Sequence, residues 1–421
     1  MKFKKTVLNN GLTIITAPMP SSPTVTVLTL TSAGADYETP ENNGISHFLE
    51  HMLFKGTETR TCADINIELD SAGATSNAFT GNAYTGYYSK AHYKKLPVLL
   101  DVITDMYLNA KLPEDDIEKE KGVILEEINM YEDLPARKVG NVLETLMFKG
   151  NAAGMPILGP AENIKKFDRD TFVKYREEHY VAEGTTVIVA GNFDQPEVLR
   201  EVKKKFKDIS TGKKGKKSKT KIKLDGPKMA MEYKKSDQSH LRFGFHAFKG
   251  DDKRVPVLKL LSVILGGGMS SRLFTEMRDN RGLCYYTGSG VYSTSDRGVL
   301  SIRSGVGNGK LEESVEVIMD ECRKLCNEEV TQKELKKAKD YLIGNIAMNL
   351  ESSDDIAEFL GLQEVVYKDI KRVTDKFSAI REVTAKDIQK MAKYIFKNER
   401  LNFAVVGPLK DDKKIKKLLK F

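Results

Sequence analysis

Gly44-Ile45-Ser46-His47-Phe48-Leu49-Glu50-His51-Met52-Leu53-Phe54-Lys55-Gly56-Thr57 holds the five residues from which the rest of this chain is best read. His47, Glu50 and His51 stand three and four apart, so on a helix they share one face while Phe48 and Leu49 turn inward. Two neutral imidazoles at that spacing are the start of a Zn²⁺ site, with the carboxylate placed to act on water at the metal. The order is H-x-x-E-H, the reverse of the commoner H-E-x-x-H.

Zinc in a hydrolase takes a third protein ligand and keeps one position open. Pro113 and the acidic residues 114–116 read as a helix start, and Ile117, Val123, Ile124, Leu125 and Ile128 form its apolar set. Glu120 and Glu127 stand seven apart on that helix, two turns along one face. One of the two is placed to reach a metal, the other to orient a ligand from behind.

Residues 44–57 resemble the active-site helix of the pitrilysin (M16) metallopeptidases, in particular the branch of the mitochondrial processing peptidases and their bacterial relatives. That family's further glutamate, about 76 residues after the second histidine, falls on Glu127 within Val123-Ile124-Leu125-Glu126-Glu127-Ile128. Glu120 matches the accompanying acid. The resemblance implies that His47, His51 and Glu127 ligate the zinc, that Glu50 is the general base, and that Glu120 belongs to the catalytic group. Asn77-Ala78-Phe79-Thr80-Gly81, leading to Tyr84-Thr85-Gly86-Tyr87-Tyr88, is similar to the family's edge strand beside the metal. There a peptide adds as an extra strand through its main chain, which makes Asn77, Ala78 and Phe79 substrate-binding residues. Arg278-Asp279-Asn280-Arg281-Gly282-Leu283-Cys284-Tyr285, after Gly266-Gly267-Gly268-Met269-Ser270-Ser271-Arg272-Leu273-Phe274, is similar to the family's Arg/Tyr signature. By that likeness Arg278 and Tyr285 hold the substrate backbone, and the phenol helps stabilise the oxyanion. The glycine run itself lacks a following Gly-Lys-Ser/Thr and any Rossmann spacing, so it is read as a tight bend and not a phosphate loop.

At 421 residues the chain exceeds one ordinary core and suits two domains. Hydrophobic content of 40% with 30% charge describes a globular chain, and no apolar run approaches the roughly 20 residues of a membrane span. The start, Met1-Lys2-Phe3-Lys4-Lys5, leads straight into a strand-and-turn pattern without the features of a signal peptide. Cys62, Cys284, Cys322 and Cys326 make neither a disulfide framework nor a Cys-type zinc site. The expected location is cytoplasmic. The net charge of +8 is concentrated in lysines of residues 203–223, which, without interleaved aromatics, read as a solvated, mobile connector and not a nucleic-acid surface.

That connector divides a repeat. Asp168-Arg169-Asp170-Thr171-Phe172 and the strand Thr186-Val187-Ile188-Val189-Ala190-Gly191 recur, about 216 residues on, as Thr384-Ala385-Lys386-Asp387-Ile388 and Asn402-Phe403-Ala404-Val405-Val406-Gly407. The same shift carries the histidine helix onto Val263-Ile264-Leu265-Gly266-Gly267, which has no metal-binding group. One Zn²⁺ per chain is therefore expected. The expected fold class is α+β: two repeated domains, residues 1–205 and 228–421, each a largely antiparallel sheet packed with helices, joined by a Lys-rich linker over 206–227.

The resemblance further implies half of a clam-like chamber, closed by a second chain as a homodimer, and a zinc endopeptidase of short or unfolded peptides. Chains of this fold also serve as non-catalytic subunits of larger complexes. Such subunits usually lose at least one of the histidines or glutamates, whereas His47, Glu50, His51, Glu120 and Glu127 all stand in this sequence.

Overall fold

In the computed structural model, which describes residues 2–421, two mixed sheets share one plan. The first contains β1 (Lys4–Val7), β2 (Thr13–Pro18), β3 (Thr24–Thr31), β4 (Thr75–Thr80), β5 (Thr85–His92) and β6 (Thr185–Gly191), in the order β1-β2-β6-β3-β5-β4. The second contains β7 (Lys228–Tyr233), β8 (Gln238–Ala247), β9 (Cys284–Ser293), β10 (Gly298–Gly307) and β11 (Leu401–Gly407), in the order β7-β11-β8-β10-β9. Without β1 the two orders coincide strand for strand. The senses coincide as well: β2 with β6 and β7 with β11 are parallel, and every other pair is antiparallel. The repeat legible at residues 168–194 and 384–410 thus extends to the whole sheet.

The first half of the sequence supplies α1 (Ile45–Met52), α2 (Cys62–Ser71), α3 (Leu96–Asn109), α4 (Glu114–Asp133), α5 (Pro135–Met147), α6 (Ala161–Lys166), α7 (Arg169–His179) and α8 (Gln195–Lys205). The second supplies α9 (Val255–Gly266), α10 (Leu311–Asn327), α11 (Gln332–Met348), α12 (Ser353–Tyr367), α13 (Val373–Arg381), α14 (Ala385–Ile395) and α15 (Lys413–Leu418). Among the described residues, no helix is long and apolar enough to cross a membrane.

Both faces of each sheet are covered, which explains why β6 reads Thr-Thr-Val-Ile-Val-Ala-Gly with every residue buried. Side chains alternate along a strand, so Ile14, Val25, Val27, Val187 and Val189 enter one core while Ile15, Ala17, Leu28, Leu30, Ile188 and Ala190 enter another. The first core is closed by α1, α3 and α7. The second is closed by Ile356, Ala357, Leu360 and Val365 of α12, which comes from the other half of the sequence. In the second sheet, Leu241, Phe243, Leu300, Ile302, Phe403 and Val405 face α9, α10 and α14. The opposite face, with Val299, Ala404 and Val406, is closed by Val139, Leu143 and Met147 of α5, from the first half.

The two compact units therefore do not follow the chain in order. One comprises the chain up to Ile128 with Met155–Ser218 and Ala347–Lys371; the other comprises Asn129–Gly154, Lys219–Ile346 and Arg372–Phe421. Each unit takes its outer helix from the other half of the sequence.

The lysine-rich connector is corrected by its contacts. Its residues form no regular element beyond α8, but they are fastened. In the first unit the Gly215 N–H donates to the Glu178 carbonyl, and Lys217 pairs with the buried Asp36 at 2.8 Å. A Cβ on Gly215 would lie 2.1 Å from the His179 ring, so only glycine lets the backbone lie flat there. In the second unit the Thr220 and Lys221 N–H groups donate to Asp296 and Asn151. Lysine composition signals solvation of the side chains, and it does not report where the backbone hydrogen bonds go.

Candidate active site

Helix α1 begins at Gly44 in the left-handed region, φ 100°, where a Cβ would sit 2.6 Å from the Leu158 carbonyl oxygen. Glycine offers no capping side chain, and the helix has no acid in its first turn. Glu38 serves instead: its carboxylate accepts the N–H groups of Gly44 and Ser46, each at 2.9 Å, and the Asn43 amide at 2.8 Å. A carboxylate at a helix N-terminus satisfies orphan donors and opposes the macrodipole. Burial raises the Glu38 pKa above its ordinary value, against the pull of those hydrogen bonds. Phe48, Leu49 and Met52 are fully buried, with Phe48 packed 4.8 Å from Phe172, and this fixes the rotation of α1.

The opposite face carries the ionisable groups. His47 and Glu50 are largely buried and His51 partly so. Helix α4 brings Glu127 to both imidazoles: its Oε2 lies 3.5 Å from His47 Nε2 and 3.8 Å from His51 Nε2. One donor atom from each of the three residues falls within 4.8 Å of the other two. Ligands about 2.0–2.1 Å from a tetrahedral zinc stand about 3.4 Å apart, so this donor set fits that ion, and two imidazoles with a carboxylate are its usual chemistry. Burial, with the neighbouring His51 charge, pushes the His47 pKa down to about 3, which keeps its ring neutral and available as a ligand.

Glu120, two turns before Glu127, does not join the trio. It accepts from His51 Nδ1 at 2.8 Å and from Lys55 Nζ at 2.6 Å. It thereby fixes which His51 nitrogen faces Glu127, the usual task of a carboxylate behind a metal-binding histidine. Burial alone would raise the Glu120 pKa, but the hydrogen bonds from His51 and Lys55 outweigh it and the net shift is downward. At His51 burial opposes protonation, yet the surrounding carboxylates, Glu120 first, leave its pKa raised. His47 has no such support; its Nδ1 is buried without a hydrogen-bond partner.

Glu50 receives a hydrogen bond from Thr80 Oγ1, at the end of β4. Its pKa is raised, mainly by burial and further by the Glu127 charge, against the Thr80 hydrogen bond and the His51 charge. Strand β4 ends the sheet: Asn77, Ala78 and Phe79 pair with Tyr88, Tyr87 and Gly86 of β5 and, among the described residues, have no strand on the other side. The Asn77 side chain accepts the Ala78 N–H at 2.9 Å.

Arg278 and Tyr285 belong to the second unit and lie beside each other, the guanidinium 5.7 Å from the phenol ring centre and 5.0 Å from that of Phe274. Arg278 sits on a π-helical segment, Phe274–Asn280, and Tyr285 is 75% exposed near the start of β9.

Thr80, Lys55 and Glu38 were assigned no role by sequence reasoning. Lys55 did carry a signal, being one helical turn beyond His51. Thr80 and Glu38 act through tertiary approach and carried none.

A family model described as insulinase (peptidase family M16) matches residues 13–161, and one described as the peptidase M16 inactive domain matches residues 166–342. An uncharacterized zinc protease of Streptomyces coelicolor is 32% identical over 97% of this chain and 90% of its own length. An uncharacterized zinc protease of Bacillus subtilis is 32% identical over 96% of this chain and 98% of its own. Among solved structures, a protease from Helicobacter pylori has the same fold, with a TM-score of 0.90 at 24% identity, covering 97% of this chain and 99% of that one. The two matched segments take in both halves of the repeat, and the ligand-bearing helix lies in the first: the chain belongs to peptidase family M16.

Proposed function

We propose that this protein is a zinc-dependent endopeptidase of short or unfolded peptides, with the metal held by His47, His51 and Glu127. The observation that carries the reading is the approach of Glu127 to both imidazoles with Glu50 one turn from His47 and beside the free edge of β4. When bound, zinc supplies Lewis acidity, which acidifies water and polarises the scissile carbonyl. The remaining work falls to side chains of this chain. Glu50, raised in pKa by burial, takes a proton from the attacking water and returns it to the leaving amine. Thr80 holds one Glu50 oxygen and leaves the other for that proton. Glu120, itself held by Lys55, keeps the His51 ring oriented. The substrate lies extended along Asn77, Ala78 and Phe79, bonded through its main chain.

The family resemblance supports a homodimer in which Arg278 and Tyr285 of a second copy meet the bound peptide main chain. Cleavage of a quenched fluorescent peptide library tests the reading. Zinc-dependent cleavage is expected from the wild type and not from a metal-loaded Glu50→Gln variant. No cleavage by zinc-loaded wild type would overturn it. The dimer has its own test: mixing Glu50→Gln with Tyr285→Phe is expected to restore activity, since one of the two mixed sites then has both groups intact. Mixtures that remain inactive while subunits exchange would exclude sharing between copies.

A further inference from the structure

Directly opposite each other on neighbouring strands of the second sheet stand two arginines, Arg242 of β8 and Arg303 of β10. Like charges directly facing each other across a ladder are destabilising, and an anion beside them would offset that repulsion. Here the Arg242 Nε donates to Ser301 Oγ at 3.0 Å, and among the described residues neither guanidinium forms an ion pair. Glu144, exposed on α5, is the carboxylate whose charge acts on Arg242.

Helix α5 lies against Arg242 at Gly140, where a Cβ would sit 2.3 Å from a guanidinium nitrogen, so this side of Arg242 is partly covered and Arg303 is the more open of the two. On the other side, the edge-strand residues that face Arg303 and Ser301 are Gly288 and Gly290, which carry no side chains. A Cβ at Gly290 would meet nothing within 4 Å. Arg242, Ser301 and Arg303 line a cleft of about 470 Å³ together with Gly288, Gly290 and their β9 neighbours and the glycines at the end of α9.

We propose that this cleft is a carboxylate-binding subsite that gives the protein a preference for peptides carrying an acidic group. Guanidinium forks match the two oxygens of a carboxylate, and the Ser301 hydroxyl, whose oxygen accepts from Arg242, has its O–H left to donate. The anion site stands on the arginine pair alone; that its ligand is a peptide rests on the peptidase reading above. A carboxylate can come from a Glu or Asp side chain or from a peptide C-terminus, and the chemistry of the cleft serves both.

The test is fluorescence anisotropy with zinc-loaded Glu50→Gln protein and a labelled extended peptide ending in two glutamates. A second arm replaces the glutamates by glutamines, and a third amidates the C-terminus. Neutralising the recognised carboxylate is expected to weaken binding on the order of tenfold, the arm affected naming its source. Arg303→Gln, at an exposed position, should abolish the difference between the peptides, as should Gly290→Asp, which places a carboxylate in the open cleft. Arg242→Gln is the weaker test because that side chain is half buried. Equal binding of all three peptides, or an acid preference unchanged in Arg303→Gln, overturns the proposal. So does Arg303-dependent binding of inorganic phosphate alone, with no acid preference among peptides. Absence of cleavage by wild type bears on the peptidase reading and leaves the anisotropy comparison intact.

Discussion

The first sheet's helix α1 meets its edge strand through side chains, Thr80 Oγ1 donating to Glu50. The second sheet's helix α9 meets its edge strand through bare backbone: a Cβ on Gly266 would lie 2.6 Å from the Ser289 nitrogen. The repeat offset places Val263, Gly266, Gly267 and Ile343 where His47, Glu50, His51 and Glu127 stand in the first half. With the same strand order, one half carries ionisable groups at these positions and the other carries glycine and aliphatic side chains. The scaffold therefore sets the positions; on the proposed reading, the residues at three of them hold the metal and the residue at the fourth, Glu50, moves the proton.

This contrast can be broken at its strongest point first. Glu50→Gln removes the proposed base while keeping the side-chain shape and the Thr80 contact, and should lower kcat by roughly 10²–10⁴-fold with zinc content unchanged. An equal loss of zinc would assign Glu50 to the metal and not to the proton.

The exchange of outer helices comes next. Leu360 and Leu143 are fully buried on α12 and α5, and either one changed to Ala should cost about 2–5 kcal/mol of stability. Native-state hydrogen exchange separates the two: Leu360→Ala should speed exchange in β3 and β6, and Leu143→Ala in β8 and β11. Protection lost in the opposite sheet would contradict the exchanged arrangement. The smallest effect is expected behind the metal. Glu120→Gln should weaken zinc binding roughly 10–100-fold in a chelator competition, because His51 loses its anionic partner. No counterpart of this carboxylate acts in the second half, so changes on α11 should leave zinc affinity unmoved.

What was legible in the sequence is what local geometry determines. His47, Glu50 and His51 share a face by spacing alone, and so do Glu120 and Glu127. The strands with buried faces announced themselves by apolar runs, and the capped helices at Asp168 and Thr384 by their repeat. Contacts made across the fold were not legible. Which of the two glutamates meets the imidazole Nε2 atoms depends on how α4 crosses α1. The Glu38 cap reaches α1 from outside the helix, around a glycine with no capping side chain. The arginine pair exists only in the register of β8 and β10. The outer helices were hidden for another reason: α5 and α12 each present an apolar stripe, and a stripe does not name the sheet it will cover.

The borrowed helix also sets a schedule. As the chain leaves the ribosome, β6 is complete at residue 191, yet the helix that covers one face of its sheet begins at residue 353. At about 5–20 residues per second, roughly 8–30 s pass with Ile15, Leu28, Leu30 and Ile188 lacking their final cover. The nascent first half is therefore a natural client for holding chaperones, and severing the chain before α12 would leave a sheet that sticks to its neighbours.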